Sequence, residues 1–160
     1  MVKVRQSWLE KLHDDKGYPK VEPITARMSS RWGTGTVVIP APLEVDALMK
    51  KVPGGQVTTI NEIRQALAAK HGATIACPIT TGIFAWIAAN AADELAFGGE
   101  KNITPYWRTL KSGGELNPKY PGGLAEQAAR LEKEGHTIEF SKGLKTAKVK
   151  DYEKKLALLS

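Results

Sequence analysis

The chain has 160 residues, of which 42% are hydrophobic and 25% charged, a balance suited to one globular domain with its own core. A formal charge of +6 and a pI of about 9.4 point to a polyanionic partner, nucleic acid first, because Lys and Arg neutralise phosphates; the other reading of that charge is a Lys-rich surface that aids solubility. No stretch nears the roughly 18 consecutive apolar residues of a membrane span, and Cys77, the one cysteine, excludes an internal disulfide or a zinc site.

The opening MVKVRQSWLEKLHDD lacks the apolar core of a secretory leader, so a cytoplasmic location is expected. Residues 5–13 are expected to form a short helix with Trp8, Leu9 and Leu12 on one side. GYPKVEP (17–23) reads as a breaker-rich linker. SSRWGTGTVVIPAP (29–42) reads as a Gly-punctuated loop, then a strand from Thr36 to Ile39 stopped by Pro40 and Pro42. From Leu43 to Val52 the positions Val45, Leu48, Met49 and Val52 keep helical spacing, and Pro-Gly-Gly ends that helix.

Thr59 with Glu62 three residues later predicts a capping box, in which hydroxyl and carboxylate each satisfy an orphan backbone donor. Ile60, Ile63 and Leu67 make the buried stripe of the helix that follows, which Gly72 ends. Cys77-Pro78 opens another helix, since Pro costs no donor in a first turn. It runs to about Leu95 with Ile79, Ile83, Phe84, Trp86 and Ile87. Two helices with a Gly-containing connection make a helix-turn-helix candidate, although this connection exceeds the usual three or four residues. YWRTLKSGGEL alternates around Ser-Gly-Gly as a β-hairpin or wing would. NPKYPGG is a rigid turn, and LAEQAARLEKEG is an amphipathic helix with Leu124, Ala128 and Leu131 inward. HTIEF suggests one more strand. The Lys-rich end, with Lys142, Lys145, Lys148, Lys150, Lys154 and Lys155, reads as a solvated, partly disordered arm or as an arm gripping DNA.

Five of these segments, in order from residue 44 to residue 138, resemble the alkylguanine-DNA alkyltransferases. VPGGQVTTINEIRQAL resembles that family's helix-turn-helix entry, Ile-Pro-x-Gly-x-Val-x-Thr-Tyr-x-x-Ile-Ala. ITTGIFAWIAAN lies where its recognition helix does. TPYWRTLKSGGEL looks like its active-site run, Pro-Cys-His-Arg-Val with a Gly turn after it. KYPGG is similar to its Tyr-Ser-Gly-Gly loop and ARLEKEG to its Leu-Leu-x-x-Glu-Gly helix. The resemblance implies a mainly α fold with a small β component, a winged helix-turn-helix domain of the alkyltransferase type. That domain is expected over residues 41–140. An N-terminal extension (1–40) packs on it or leads to it, and a Lys-rich tail (141–160) follows.

The departures carry the functional expectation. In those enzymes the Cys after the Pro takes the alkyl group from guanine, and a neighbouring His, held by the Glu of the later helix, helps to make the thiolate. Here Tyr106 stands at the Cys position and Trp107 at the His position, while Arg108, Tyr120 and Glu134 remain. A phenol with a pKa near about 10 cannot replace a thiolate in that transfer, so no enzyme activity is expected. Cys77 could serve as a substitute nucleophile at its helix start, or as a small buried residue there; it lies on a different element from the pocket motif.

The resemblance is therefore greatest to the non-catalytic alkyltransferase-like proteins, which flip alkylated guanine into a pocket and hand the lesion to repair. It implies a lesion pocket of Pro105, Tyr106, Trp107, Arg108, Tyr120 and Glu134, in which the aromatic pair either stacks on a base or fills the space as core. It implies DNA contacts from Thr59, Ile60, Thr80, Thr81, Asn90, Arg108 and Lys111. The family's phosphate-pressing Tyr is replaced by Ile60, and no Arg finger occurs near Thr80 or Thr81. The expected partner is double-stranded DNA, with or without alkylated guanine, together with a DNA-repair protein; no cofactor, metal or membrane is expected. The alternative is a protein-interaction module with the same fold and a closed pocket, using Trp8, Tyr18 or Trp32 as aromatic anchors unless these pack back on the domain.

Overall fold

The computed structural model of the protein describes residues 6–159. Its first helix, α1 (Trp8–His13), begins where the Ser7 hydroxyl accepts the Glu10 N–H at 3.1 Å. Two further N–H groups, of Trp8 and Leu9, donate to the Glu94 carboxylate at 3.1 and 3.3 Å. A helix this short does not persist alone. A carboxylate at its N-terminus both satisfies orphan donors and meets the positive end of the helix dipole, and so fastens α1 to the body of the molecule.

The expected linker instead holds a strand, β1 (Lys20–Pro23), antiparallel to β2 (Thr36–Ile39) with Val21 facing Val38. Pro23 is tolerated because it ends an edge strand. The expected loop between them contains a one-turn helix, α2 (Ser29–Trp32). After α3 (Pro42–Lys50) comes β3 (Thr58–Thr59), then α4 (Ile60–His71). The predicted capping box is present: Thr59 Oγ1 accepts the Asn61 N–H at 3.2 Å and Glu62 accepts the Thr59 N–H at 3.2 Å. Gly72, at φ 64, closes α4 in the left-handed region that glycine adopts without strain.

The connection to the next helix contains β4 (Ile75–Ala76), parallel to β2, so the sheet β1-β2-β4 ties residues 20–39 to the centre of the helix-turn-helix. This strand explains the long connection. Cys77 then caps α5 (Pro78–Phe97), with Pro78 in its first position. One side of α5 is nearly all alanine: Ala85, Ala88, Ala89, Ala91 and Ala92 are buried and let neighbouring helices approach closely. The main core there joins Val45 and Met49 of α3, Ile63 and Leu67 of α4, and Phe84 of α5.

The Ser-Gly-Gly segment does not form a simple hairpin. β5 (Thr109–Leu110) pairs in parallel with β3, Thr58 beside Thr109, while Glu115 bridges Lys148 in the C-terminal stretch. Alternation in a sequence signals a strand but not its partner. A second core forms from Val57, Leu110, Leu116, Ala128, Leu131, Ala147 and Val149. It lies under α6 (Gly123–Lys133) and the antiparallel pair β6 (Ile138–Phe140) and β7 (Ala147–Val149).

The Lys-rich end is thus not a solvated arm. Its lysines point outward or sit at the margin, but Ala147, Val149, Ala157 and Leu159 are buried, and the chain passes beside Val57. Val57 donates to Lys155 O and Ala157 donates to Val57 O, both at 2.9 Å. Tyr152 lies on Gly114, where any added Cβ would be 2.3 Å from its ring. Lys-rich composition hid an apolar alternation that one face of a strand requires.

Candidate nucleic-acid interface

Pro105 leads into a single 3-10 turn, Tyr106–Arg108. The turn aims its three side chains in different directions. Tyr106 is 1% exposed and meets Trp107 and Tyr120 edge-to-face, with ring centroids 5.3 and 5.7 Å apart. The Arg130 guanidinium lies over Trp107 at 4.5 Å and near Tyr106 at 5.7 Å. Among the described residues the buried Tyr106 hydroxyl has no hydrogen-bond partner; burial raises its pKa, and the nearby Arg130 charge pulls part of that back. Burial likewise pushes the Tyr120 phenol upward. The space expected to be a lesion pocket is therefore filled by its own aromatic rings.

Glu134 anchors this cluster. Trp107 Nε1–H donates to its Oε1 at 3.1 Å, and the Arg108 guanidinium grips both carboxylate oxygens at 2.5–3.1 Å. Arg108 Nη1 also donates to Val52 O at 2.8 Å. Gly54 lets the loop after α3 close over the pair, since a Cβ there would stand 3.3 Å from Arg108 Nη2. Arg108 thus holds Glu134 and Val52 O within the molecule, with 18% of its side chain exposed. Beside this pair, His136 is buried with neither ring nitrogen partnered among the described residues. Burial lowers its pKa, and the Lys155 and Arg108 charges lower it further against the opposing pull of Glu134.

Two open grooves lie elsewhere, the larger, about 730 Å³, between α3, α4 and the C-terminal residues with Glu44 and Glu62 in its lining. A groove of about 590 Å³ runs between the first half of α5, the start of α4 and the segment 111–119. Ile60, Pro78, Ile79, Ile83 and Trp86 form its apolar part, and Arg64, Lys111 and Lys119 its cationic rim, with no carboxylate in the lining among the described residues. Trp86 is fixed by donating Nε1–H to Lys119 O at 3.1 Å and by an edge-to-face contact with Trp8 at 4.8 Å. Asn61 Nδ2 donates to Ser112 Oγ at 3.1 Å and closes one end. Arg64 is steadied by a 2.9 Å bond from Nε to Ala76 O.

The predicted DNA-facing residues divide across this geometry. Ile60 and Lys111 line the groove. Thr59 is buried and occupied as the α4 cap. Thr81 is fully buried and donates to Cys77 O at 2.6 Å, so it faces the core, and Thr80 is half-buried with its hydroxyl unpartnered. Asn90 donates to Trp86 O at 2.9 Å, within its own helix. Arg64, Trp86 and Lys119 were missed. The 3.6-residue period from Ile60 would have placed Arg64 on the same face of α4. Cys77 is a free, buried thiol at the α5 cap. Of the anchors considered for a partner, Trp8 and Tyr18 pack against the main core and Trp32 is half-buried.

The fold is a mainly helical, winged-helix-like arrangement with small accessory sheets. It matches the crystal structure of S. pombe Atl1 in complex with damaged DNA containing O6-carboxymethylguanine, with a TM-score of 0.52 and 20% identity over 73% of this chain and 94% of that one. No protein-family model matches the chain, and no curated protein matches it in sequence. Among the described residues no helix is long and apolar enough to cross a membrane.

Proposed function

We propose that the protein is a non-catalytic DNA-binding protein of the alkyltransferase-like type, which binds double-stranded DNA along α5 and recognises alkylated guanine for repair. The observation that carries this reading is the groove beside α5. It combines a flat indole and isoleucine floor, suited to a base, with three cations suited to the flanking phosphates. Its volume falls within the range of small-molecule sites. The matched Atl1 structure holds damaged DNA, and the damaged base here would enter this groove, because the aromatic rings already fill the space beside Tyr106.

Transfer of the alkyl group is not part of the proposal. The Cys position carries a buried phenol, and the His position an indole that donates to Glu134 and has no basic nitrogen to accept a proton. A DNA-repair protein that receives the lesion would dock on the complex. The filled aromatic cluster favours a second reading, a protein-interaction module with a closed pocket.

Fluorescence anisotropy with labelled duplexes, with and without O6-alkylguanine, separates the two. DNA recognition gives binding that weakens steeply with salt and tightens with the lesion. Absence of salt-sensitive binding at micromolar protein leaves the interaction module. Mass spectrometry after incubation should show no alkyl gain on Cys77; a gain there would restore an enzyme.

A further inference from the structure

We propose that Ile79, with Ile83 behind it, acts as an apolar wedge that enters the base stack of a bound duplex, and that Gly82 between them is the point of closest approach. The inference rests on the DNA-binding reading above and adds a mechanical role for one strip of α5. Ile79 is 61% exposed and Ile83 45%, on a helix whose other face is buried alanine. Their i,i+4 spacing puts them on one side of the helix. Both are β-branched, and a helix already confines such side chains to one main rotamer, so inserting them loses little further freedom.

Gly82 supplies the second observation. A glycine weakens a helix interior relative to alanine, and a structural reason is normally a left-handed backbone or a tight internal contact. Neither applies: Gly82 does not have a positive φ, and a Cβ built on it meets nothing within 4 Å among the described residues. Approach from outside the molecule is the remaining reason for a missing side chain.

The occupant follows from the mixture of chemistry. Isolated exposed apolar residues are ordinary on protein surfaces. These two adjoin Arg64, Lys111 and Lys119 in a lining without a carboxylate among the described residues. A duplex offers phosphates to the rim and base faces to the isoleucines, and proteins that kink DNA use apolar wedges of this kind. The predicted absence of an Arg finger near Thr80 and Thr81 is thereby given a replacement of different chemistry one or two residues away.

The test uses the full chain and a duplex carrying 2-aminopurine, whose fluorescence rises when its base is unstacked. The wild type should bind with salt-sensitive anisotropy and raise that fluorescence several-fold. Ile79→Ala should bind several-fold more weakly with an unchanged slope against salt, and lose most of the rise per duplex bound. Gly82→Ala should melt at a higher temperature than the wild type yet bind the duplex several-fold more weakly, a pairing that a merely structural glycine would not give. Wild-type binding that leaves 2-aminopurine dark, an Ile79→Ala rise equal to the wild type, or undiminished binding by Gly82→Ala would each overturn the wedge while leaving DNA binding intact. No duplex binding by the wild type at any salt concentration would overturn the DNA-binding reading and the wedge with it.

Discussion

Trp107 and Glu134 are joined by an indole N–H that donates to a carboxylate oxygen at 3.1 Å, with Arg108 holding both oxygens of the same carboxylate. The arrangement keeps an acid locked against the residue that follows Tyr106, but what it locks is a donor without basicity. It is an architectural joint, linking α6 to the turn that fills the centre of the molecule. Trp107→Phe should cost about 1–2 kcal/mol, since Arg108 still serves the carboxylate. Arg108→Ala should cost about 2–4 kcal/mol, because it strands a largely enclosed acid and frees Val52 O. Urea unfolding followed by tryptophan fluorescence measures both, with the order Arg108 above Trp107 as the discriminating result.

Tyr106 contributes a ring rather than a hydroxyl. Its buried oxygen has no partner among the described residues, so Tyr106→Phe should leave stability within about 1 kcal/mol of the wild type or raise it. Tyr106→Ala empties a site surrounded by Trp107, Tyr120 and Arg130 and should cost about 3–5 kcal/mol. A loss in the Phe variant as large as in the Ala variant would mean that the hydroxyl has a partner in solution.

Stability should fall on the acid side through His136. Its folded-state pKa lies below the ordinary value near 6.5, so the unfolded chain binds the proton first as pH drops. The stabilising difference is fully present above pH 6.5 and is lost as pH falls from there through the depressed folded value. Replacing His136 by Phe, of similar ring size and without a titrating nitrogen, should flatten that part of the stability-against-pH profile. An unchanged profile would assign the acid sensitivity to carboxylates such as Glu44, whose pKa is lowered by Lys70, Ala41 N–H and His71 against its own burial.

The groove rim should register as electrostatics. Lys111→Ala and Lys119→Ala each remove one cation from the lining without touching a core residue. Each should reduce the slope of log affinity against log salt by about 0.9 if the side chain meets a phosphate. Thermal melts should be unchanged, since both side chains are exposed.

Local signals were legible in the sequence wherever physics acts over a few residues. Thr59 and Glu62 announced their cap, Pro78 its helix start and Gly72 a helix end, and each stands where its chemistry requires. Long-range pairing was not legible. Nothing in GYPKVEP says that Val21 faces Val38, and nothing in TLKSGG says that Thr109 runs parallel to Thr58. The candidate site was readable in part for the same reason. Hydrophobic period alone does not say which side of α5 faces inward, and the structure buries its alanines while leaving Ile79 and Ile83 exposed. Thr81 looked available until its hydroxyl was found turned to Cys77 O.

The passage of residues 155–157 along Val57 has a bearing on how the protein reaches its folded state. Val57 precedes the helix-turn-helix, whereas its neighbour in this ladder is translated long afterwards. During synthesis, Val57, Leu110 and Leu131 therefore emerge before the strand that covers them. Such distant closure slows folding and leaves apolar surface bare in the interval, which makes the nascent chain, rather than the finished molecule, the form most in need of a chaperone.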